Sequence, residues 1–251
     1  MIEHLKMPSP LAIFGAFYVL VAMVYFYKLI KCGYWSSVIG NIYLLLRQNL
    51  KFIIGGILVF VVLLLVADLA LTQLCRHFYN HDIYVVFDFI NAMGEGWFIG
   101  GVVFTSLMIF QILGKFNLAI ISKISFMAAV YAGVINTVLK VFISRERPGI
   151  GMNQWNFFHF FTTWHWNDLL YASNSMPSGH TTTIFAAVTP FLLYNKTWFS
   201  KLLLLLCSLT IMAARVYTIN HWLSDVYISL FLGLIIGKAL FLSNKHRLKV
   251  V

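Results

Sequence analysis

Residues 52–74 read FIIGGILVFVVLLLVADLALTQL, an apolar run broken by one charge, Asp68. A helix needs about 20 mostly apolar residues to cross the hydrocarbon of a bilayer, so this stretch reads as a membrane span. Six further stretches qualify or nearly so: residues 11–30, 97–113, 124–139, 178–194, 202–217 and 223–242. The third to sixth in chain order are short for a full crossing, which suggests that their polar ends reach the interface. Residues 11–30 are the weakest of the seven and also suit a re-entrant or surface segment. Residues 36–50 read as an interfacial amphipathic helix. The expectation is an all-α polytopic membrane protein with no internal repeat.

Composition agrees with that reading. The 251 residues are 61% hydrophobic and only 10% charged, with mean hydropathy +0.84. Soluble domains carry about 25% charged residues, and a chain of this length has no core that absorbs such an apolar excess. Cys32, Cys75 and Cys207 are scattered and fit neither a disulfide framework nor zinc-ligand spacing. The first apolar stretch lacks the strongly basic lead and cleavage site of a signal peptide.

Net charge is +10, and the placement of the charges orients the chain. With alternating ends, one side receives Lys28, Lys31, Arg47, Lys51, Lys115, Lys123, Lys196, Lys201, Lys238, Lys245, Arg247 and Lys249. The other receives Lys6, Arg76, Lys140, Arg145, Arg147 and Arg215. The positive-inside rule makes the first side cytoplasmic, with the C-terminus inside and the N-terminus outside. Glu3, Asp82, Asp88, Glu95, Glu146, Asp168 and Asp225 fall on or near the outer side. The outer cations are a knot that topology does not explain, and they require a local reason.

Three outward segments supply it. Lys140–Pro148 reads KVFISRERP, Pro177–His180 reads PSGH, and Ala214–Asp225 reads ARVYTINHWLSD. Lys140, Arg147 and Arg215 repel one another in a partly low-dielectric setting unless an anion joins them. Arginine suits phosphate because its guanidinium binds two oxygens at once. Ser178 and Gly179 open a helix, whose unpaired N–H groups and positive end favour the same anion. His221 and Asp225, four apart, share a helix face. A carboxylate on one ring nitrogen leaves the other free to attack phosphorus, making His221 the expected nucleophile. His180 is the expected acid that protonates the leaving oxygen and then activates water. No carboxylate cluster is present for magnesium, so the expected site has no metal and no cofactor. Singly, each feature has an ordinary structural explanation: a snorkelling lysine, a helix cap, a structural His–Asp pair. Jointly, in order and on one side, they describe phosphate chemistry.

The segments resemble the three signatures of the type-2 phosphatidic acid phosphatase superfamily, Lys-x6-Arg-Pro, Pro-Ser-Gly-His and Ser-Arg-x5-His-x3-Asp. The match covers residues 140–225, and the membrane pattern extends it to roughly 52–242. Ala214 departs from the family serine, which removes one hydrogen bond near the phosphate. The resemblance implies a six-helix membrane core, here residues 52–251, preceded by an N-terminal membrane or interfacial segment, residues 1–51. It implies phosphate contacts from Lys140, Arg147, Ser178, Gly179 and Arg215, with His180 as acid, His221 as nucleophile and Asp225 as its partner. Soluble haloperoxidases share the motifs but not the spans.

The long outward loop 145–176 carries Trp155, Trp164 and Trp166, read either as headgroup contacts or as an aromatic belt. His159, His165 and Asp168 lie in the same loop. The expected partner is a membrane lipid phosphate, not nucleic acid, and the expected location is a bacterial cytoplasmic membrane with the site facing outward. Within the resemblance, undecaprenyl pyrophosphate and phosphatidylglycerol phosphate lead. Lipid A phosphate, or transfer of phosphate to a lipid hydroxyl, is the rival. A transporter is the non-enzyme alternative; it predicts midplane charges, for which only Asp68 and the motif edges are candidates, and often a repeated half, which is not visible.

Overall fold

The computed structural model describes residues 34–163 and 174–248, so the expected span at residues 11–30 lies outside the described part. Nine α-helices and no strands occur among the described residues. In chain order they are α1 (Tyr34–Gln48), α2 (Leu50–His77), α3 (His81–Met93), α4 (Gly96–Ile112), α5 (Phe116–Ile143), α6 (His159–Thr163), α7 (Gly179–Tyr194), α8 (Trp198–Tyr217) and α9 (Leu223–Asn244). By length and composition α2, α5, α8 and α9 each suffice to cross a membrane. The pair α3–α4, bent by 56°, makes a fifth crossing if taken as one span.

The core is built around α7, which packs against α4, α5, α8 and α9. Small residues make the closest approach possible. A Cβ on Gly233 would stand 2.6 Å from the Thr182 carbonyl, and one on Gly237 would stand 2.6 Å from Thr189 Cβ. This Gly-x3-Gly face lets α9 lie directly on the α7 backbone, as small residues do between membrane helices. Around it, Ile124, Ala128, Tyr131, Ala132, Ala186 and Leu240 are buried. Leu58, Val66 and most of α2 are exposed, as lipid-facing residues would be. Helix α1, expected as an interfacial amphipathic helix, buries Val38 and Leu45 in the core and leaves Ile39, Tyr43 and Leu44 exposed. Its Asn41 donates to Ser243 Oγ on α9.

Two helices differ from the sequence expectation. Helix α5 has 28 residues where residues 124–139 were expected. Asn117, Ser122 and Lys123 lower the hydropathy of its first turns, but Ser122 is satisfied there by Ser106 Oγ. Helix α3 falls between expected spans. It begins at Asn80, whose Oδ1 accepts from Asp82 and Ile83 N–H, as an N-cap side chain does.

One buried ionic knot ties the chain ends of these helices together. Ser144, in the left-handed region at φ 43, ends α5. Arg145 follows it into the interior and is fully buried. Its NH2 donates to Asp68 Oδ2 at 2.8 Å, its NH1 to Asp225 Oδ1 at 2.6 Å and to Ser224 Oγ at 2.8 Å. Its Nε and NH2 also donate to the Gln154 carbonyl, and Phe157 and Trp222 flank the guanidinium. Asp68 reaches this knot from the lipid-facing α2. The π-helical turn Leu63–Ala67 stands immediately before it and shifts the register of the face that follows.

Arg145→Met should therefore leave two buried carboxylates without their shared cation. Breaking a buried pair by removing one partner costs about 3–5 kcal/mol, a fall of roughly 10 °C in melting temperature for a chain of this size. Thermal unfolding in detergent micelles measures it. Asp68→Asn, which keeps an acceptor for Ser224, should cost clearly less; equal or absent losses in the two variants would refute the knot.

Candidate active site

The three motif segments meet at one end of the bundle. Lys140 comes from the last turn of α5, Arg147 from the loop after it, Ser178–His180 from the start of α7, Arg215 from the end of α8, His221 from the α8–α9 turn and Asp225 from the first turn of α9. The turn is made by Ile219 at φ 57, with the Asn220 and His221 amides both on the Arg215 carbonyl.

His221 is almost completely buried. Its Nδ1 lies 2.6 Å from the Ser175 carbonyl. A carbonyl only accepts, so Nδ1 carries the hydrogen and Nε2 keeps its lone pair. Burial, then the charges of Arg215, Lys140, Arg147 and His180, hold this imidazole well below its ordinary range. It is therefore neutral and unprotonated near pH 7.

Asp225 was expected to bond His221 directly. Its Oδ2 lies 3.8 Å from Nδ1 and instead accepts from Ser175 Oγ and the Trp222 amide. Asp225 thus acts on the histidine through Ser175: it holds the residue whose carbonyl fixes the tautomer. The sequence offered no sign of Ser175, which belongs to none of the three motifs.

The cations are placed to receive an anion. Arg147 donates through Nε to Asn174 Oδ1 at 2.7 Å, with Asn220 Oδ1 at 3.4 Å from NH1. Arg215 is 7% exposed, and its Nε is buried without a partner among the described residues. A buried donor left unpaired costs about 1–3 kcal/mol unless something else satisfies it. Lys140 has no ion pair among the described residues. Ser178 was expected to offer a free amide, but its N–H donates to Ser229 Oγ at 2.6 Å. The unpaired amides of this helix start belong to Gly179, His180 and Thr181, among the described residues.

Two further neighbours were not foreseen. Glu95 Oε1 lies 3.2 Å from His180 Nε2. Gly94 brings that backbone in: a Cβ there would stand 2.8 Å from His180 Cδ2 and 2.7 Å from Ile211 Cγ2. The bend Gly94–Glu95 between α3 and α4 is thus pressed against the histidine. The Gly-Glu-Gly triplet at 94–96 is the sequence signal for such a break.

Trp155 is 52% exposed on its loop, and His159 Nδ1 stands 3.3 Å from Asn156 Nδ2 within that loop. Trp164, Trp166, His165 and Asp168 lie outside the described residues.

Comparison with known proteins identifies this arrangement. A family model, the PAP2 superfamily, matches residues 122–249. The chain belongs to that superfamily, a family of membrane lipid phosphatases, and is a phosphoric ester hydrolase. Two solved structures share the fold. The Bacillus subtilis transmembrane PAP2-type phosphatidylglycerolphosphate phosphatase is 19% identical with a TM-score of 0.56, over 79% of this chain and 96% of that one. Aquifex aeolicus LpxE is 24% identical with a TM-score of 0.53, over 71% of this chain and 94% of that one. No curated protein matches the sequence significantly.

The tight fit at Gly94 yields a direct test. Gly94→Ala must push Ile211 or the His180 ring aside by several tenths of an ångström. Misplacement of a reacting group by about 1 Å can cost roughly 100-fold in rate, so turnover should fall at least about 10-fold while the helical circular dichroism stays unchanged. Wild-type turnover in Gly94→Ala would show that the bend does not set the position of His180.

Proposed function

We propose that this protein hydrolyses a phosphomonoester or pyrophosphate of a membrane lipid through a phosphohistidine on His221, without a metal, at the outer face of a bacterial cytoplasmic membrane. The observation that carries the reading is the Ser175 carbonyl on Nδ1, which leaves a neutral Nε2 in the field of Lys140, Arg147 and Arg215.

The steps follow from these positions. The phosphate enters among Lys140, Arg147 and Arg215 and the amides opening α7, which donate to its oxygens; one of those oxygens accepts from Arg215 Nε, which has no partner among the described residues. Nε2 of His221 bonds to phosphorus as the bond to the leaving oxygen breaks, and His180 gives that oxygen a proton. His180 then takes a proton from water, whose oxygen bonds to phosphorus as the P–N bond breaks. Phosphate leaves, and both histidines return to their first state. The fixed cations stabilise charge on the equatorial oxygens throughout.

For the lipid, undecaprenyl pyrophosphate and phosphatidylglycerol phosphate lead. The likeness in fold to a phosphatidylglycerolphosphate phosphatase supports the second. Lipid A phosphate and phosphotransfer to a lipid hydroxyl are the competing outcomes, separated by assaying release from each lipid and looking for phosphorylated lipid products. The outward orientation is supported by charge. Lys115, Lys196, Lys201, Lys245 and Arg247 lie at the starts of α5 and α8 and the end of α9, opposite the site, where the positive-inside rule expects the cytoplasm.

Purified His221→Ala should release no phosphate from lipid substrates, and wild-type enzyme quenched during turnover should carry acid-labile phosphate that the variant lacks. Wild-type release should persist in EDTA and be inhibited by vanadate, which resembles the transition state. Activity lost in EDTA and restored by magnesium would overturn the metal-free site.

Topology is tested separately. A cysteine at Asn153, in a background lacking Cys32, Cys75 and Cys207, should react with a membrane-impermeant maleimide in whole or outer-permeabilised cells. Labelling of a cysteine at Lys245 but not at Asn153 would reverse the orientation.

A further inference from the structure

The proposed proton donor stands in an unfavourable field. Arg215 from α8 and Lys140 from α5 act on His180, and His221 faces it from the α8–α9 turn. Each of these, when charged, opposes an imidazolium. Among the described residues Glu95, from the α3–α4 bend, is the carboxylate that reaches the ring. Its Oε1 lies 3.2 Å from Nε2, within ion-pair reach but off the line of an N–H hydrogen bond. Catalytic hydrogen bonds are often misaligned before substrate binds and tighten with it. The Nδ1 edge of the ring has no protein partner among the described residues.

We infer that Glu95 is a positioning residue for His180: its carboxylate holds Nε2–H, and Nδ1 is the atom that exchanges the proton with the leaving oxygen and with water. The inference rests on His180 being the proton donor of the reaction above. The imidazolium carries one hydrogen toward Glu95 and one toward the substrate. As the phosphorus–oxygen bond breaks, Nδ1–H passes to the leaving oxygen, and the neutral ring stays anchored through Nε2–H. In the second step the Nδ1 lone pair takes a proton from the attacking water, and the imidazolium re-forms. Glu95 remains ionised throughout. It is half-exposed, so its contribution is directional and electrostatic rather than a matter of burial. Gly94 serves the same end, because any larger residue would displace either the ring or Ile211.

The test uses Glu95→Gln, which keeps the size and removes the charge, in the purified full-length enzyme. On a lipid phosphate, kcat should fall about 10–100-fold, a share of the 10²–10⁴-fold typical of a general acid, with KM within about 3-fold of wild type. The alkaline limb of kcat should move to lower pH, because the imidazolium has lost its counter-charge and gives up its proton sooner. On an activated aryl phosphate, whose leaving group departs without a proton, the burst of aryl alcohol should keep its wild-type rate. Adding Glu95→Gln to His180→Ala should cost nothing more, since one acts through the other.

A wild-type kcat and pH profile in Glu95→Gln would overturn the inference, as would its full penalty recurring in the His180→Ala background. Loss of vanadate inhibition in Glu95→Gln would assign Glu95 to holding the phosphate pocket together and would equally overturn it. Wild-type turnover in His180→Ala, by contrast, would overturn the underlying proton-donor reading. A slow His180→Ala beside a normal Glu95→Gln would overturn only the role of Glu95.

Discussion

Arg145 is shut away from water with two carboxylates around it, Asp68 from α2 and Asp225 from α9. Buried charges are costly unless paired and hydrogen-bonded, and here the pairing determines the geometry of the site. Asp225 is held by Arg145 on one oxygen and, on the other, by Ser175 Oγ and the Trp222 amide. Ser175 in turn gives its carbonyl to His221 and its N–H to the Arg145 carbonyl. The chain of contacts runs from Asp68, the one acid of a lipid-facing helix, to the imidazole, with no loose member. A lysine in place of Arg145 would lack the planar fork that satisfies both acids and the Gln154 carbonyl together.

The knot also carries electrostatic weight. One guanidinium between two carboxylates leaves a formal charge of about −1 beside the histidine, on which Lys140, Arg147 and Arg215 also act. That buried negative charge offsets the mutual repulsion of the three cations before a phosphate arrives. It also favours positive charge developing on His221 as its Nε2 bonds to phosphorus. The site is thus poised between two opposing demands. Burial and then the cations keep the free imidazole unprotonated, and the neighbouring acids stabilise the cationic form it takes as a phosphohistidine.

The spans and the three motif segments were legible because hydropathy and the spacing of Lys, Arg, His and Asp are local properties of the chain. What sequence could not supply was contact between segments far apart in it. Asp68 was visible as a lone charge in an apolar run, yet nothing local named Arg145 as its partner, 77 positions away. Glu95 looked like one of several outer acids until the bend beside Gly94 set it against His180. Asp225 was read as bonding His221 because i, i+4 spacing places the two on one face of a helix. His221, however, precedes the first turn of α9 and is not within it, so the spacing rule did not apply and Ser175 took the bond. The free amide assigned to Ser178 failed for a similar reason, since its acceptor Ser229 lies two turns into another helix.

Helix lengths suit the entry of a lipid phosphate into this machinery. At 1.5 Å per residue, the 16 residues of α7 span about 24 Å, against roughly 30 Å of bilayer hydrocarbon. Helix α5, with 28 residues, spans about 42 Å and has length to spare. The two helices are level at the site, where Asn136 of α5 accepts from Thr182 of α7. Most of the excess of α5 therefore projects at the opposite end, with Lys115 beyond the end of α7. If Lys196, just past α7, marks the far edge of the hydrocarbon, the start of α7 stops a few ångströms short of the near edge. Phosphate ligands at that depth would be level with the ester linkage of a lipid whose tail remains in the bilayer. The shortness of α7, which in sequence suggests a polar helix end reaching the interface, would on that placement set the cationic pocket at headgroup depth.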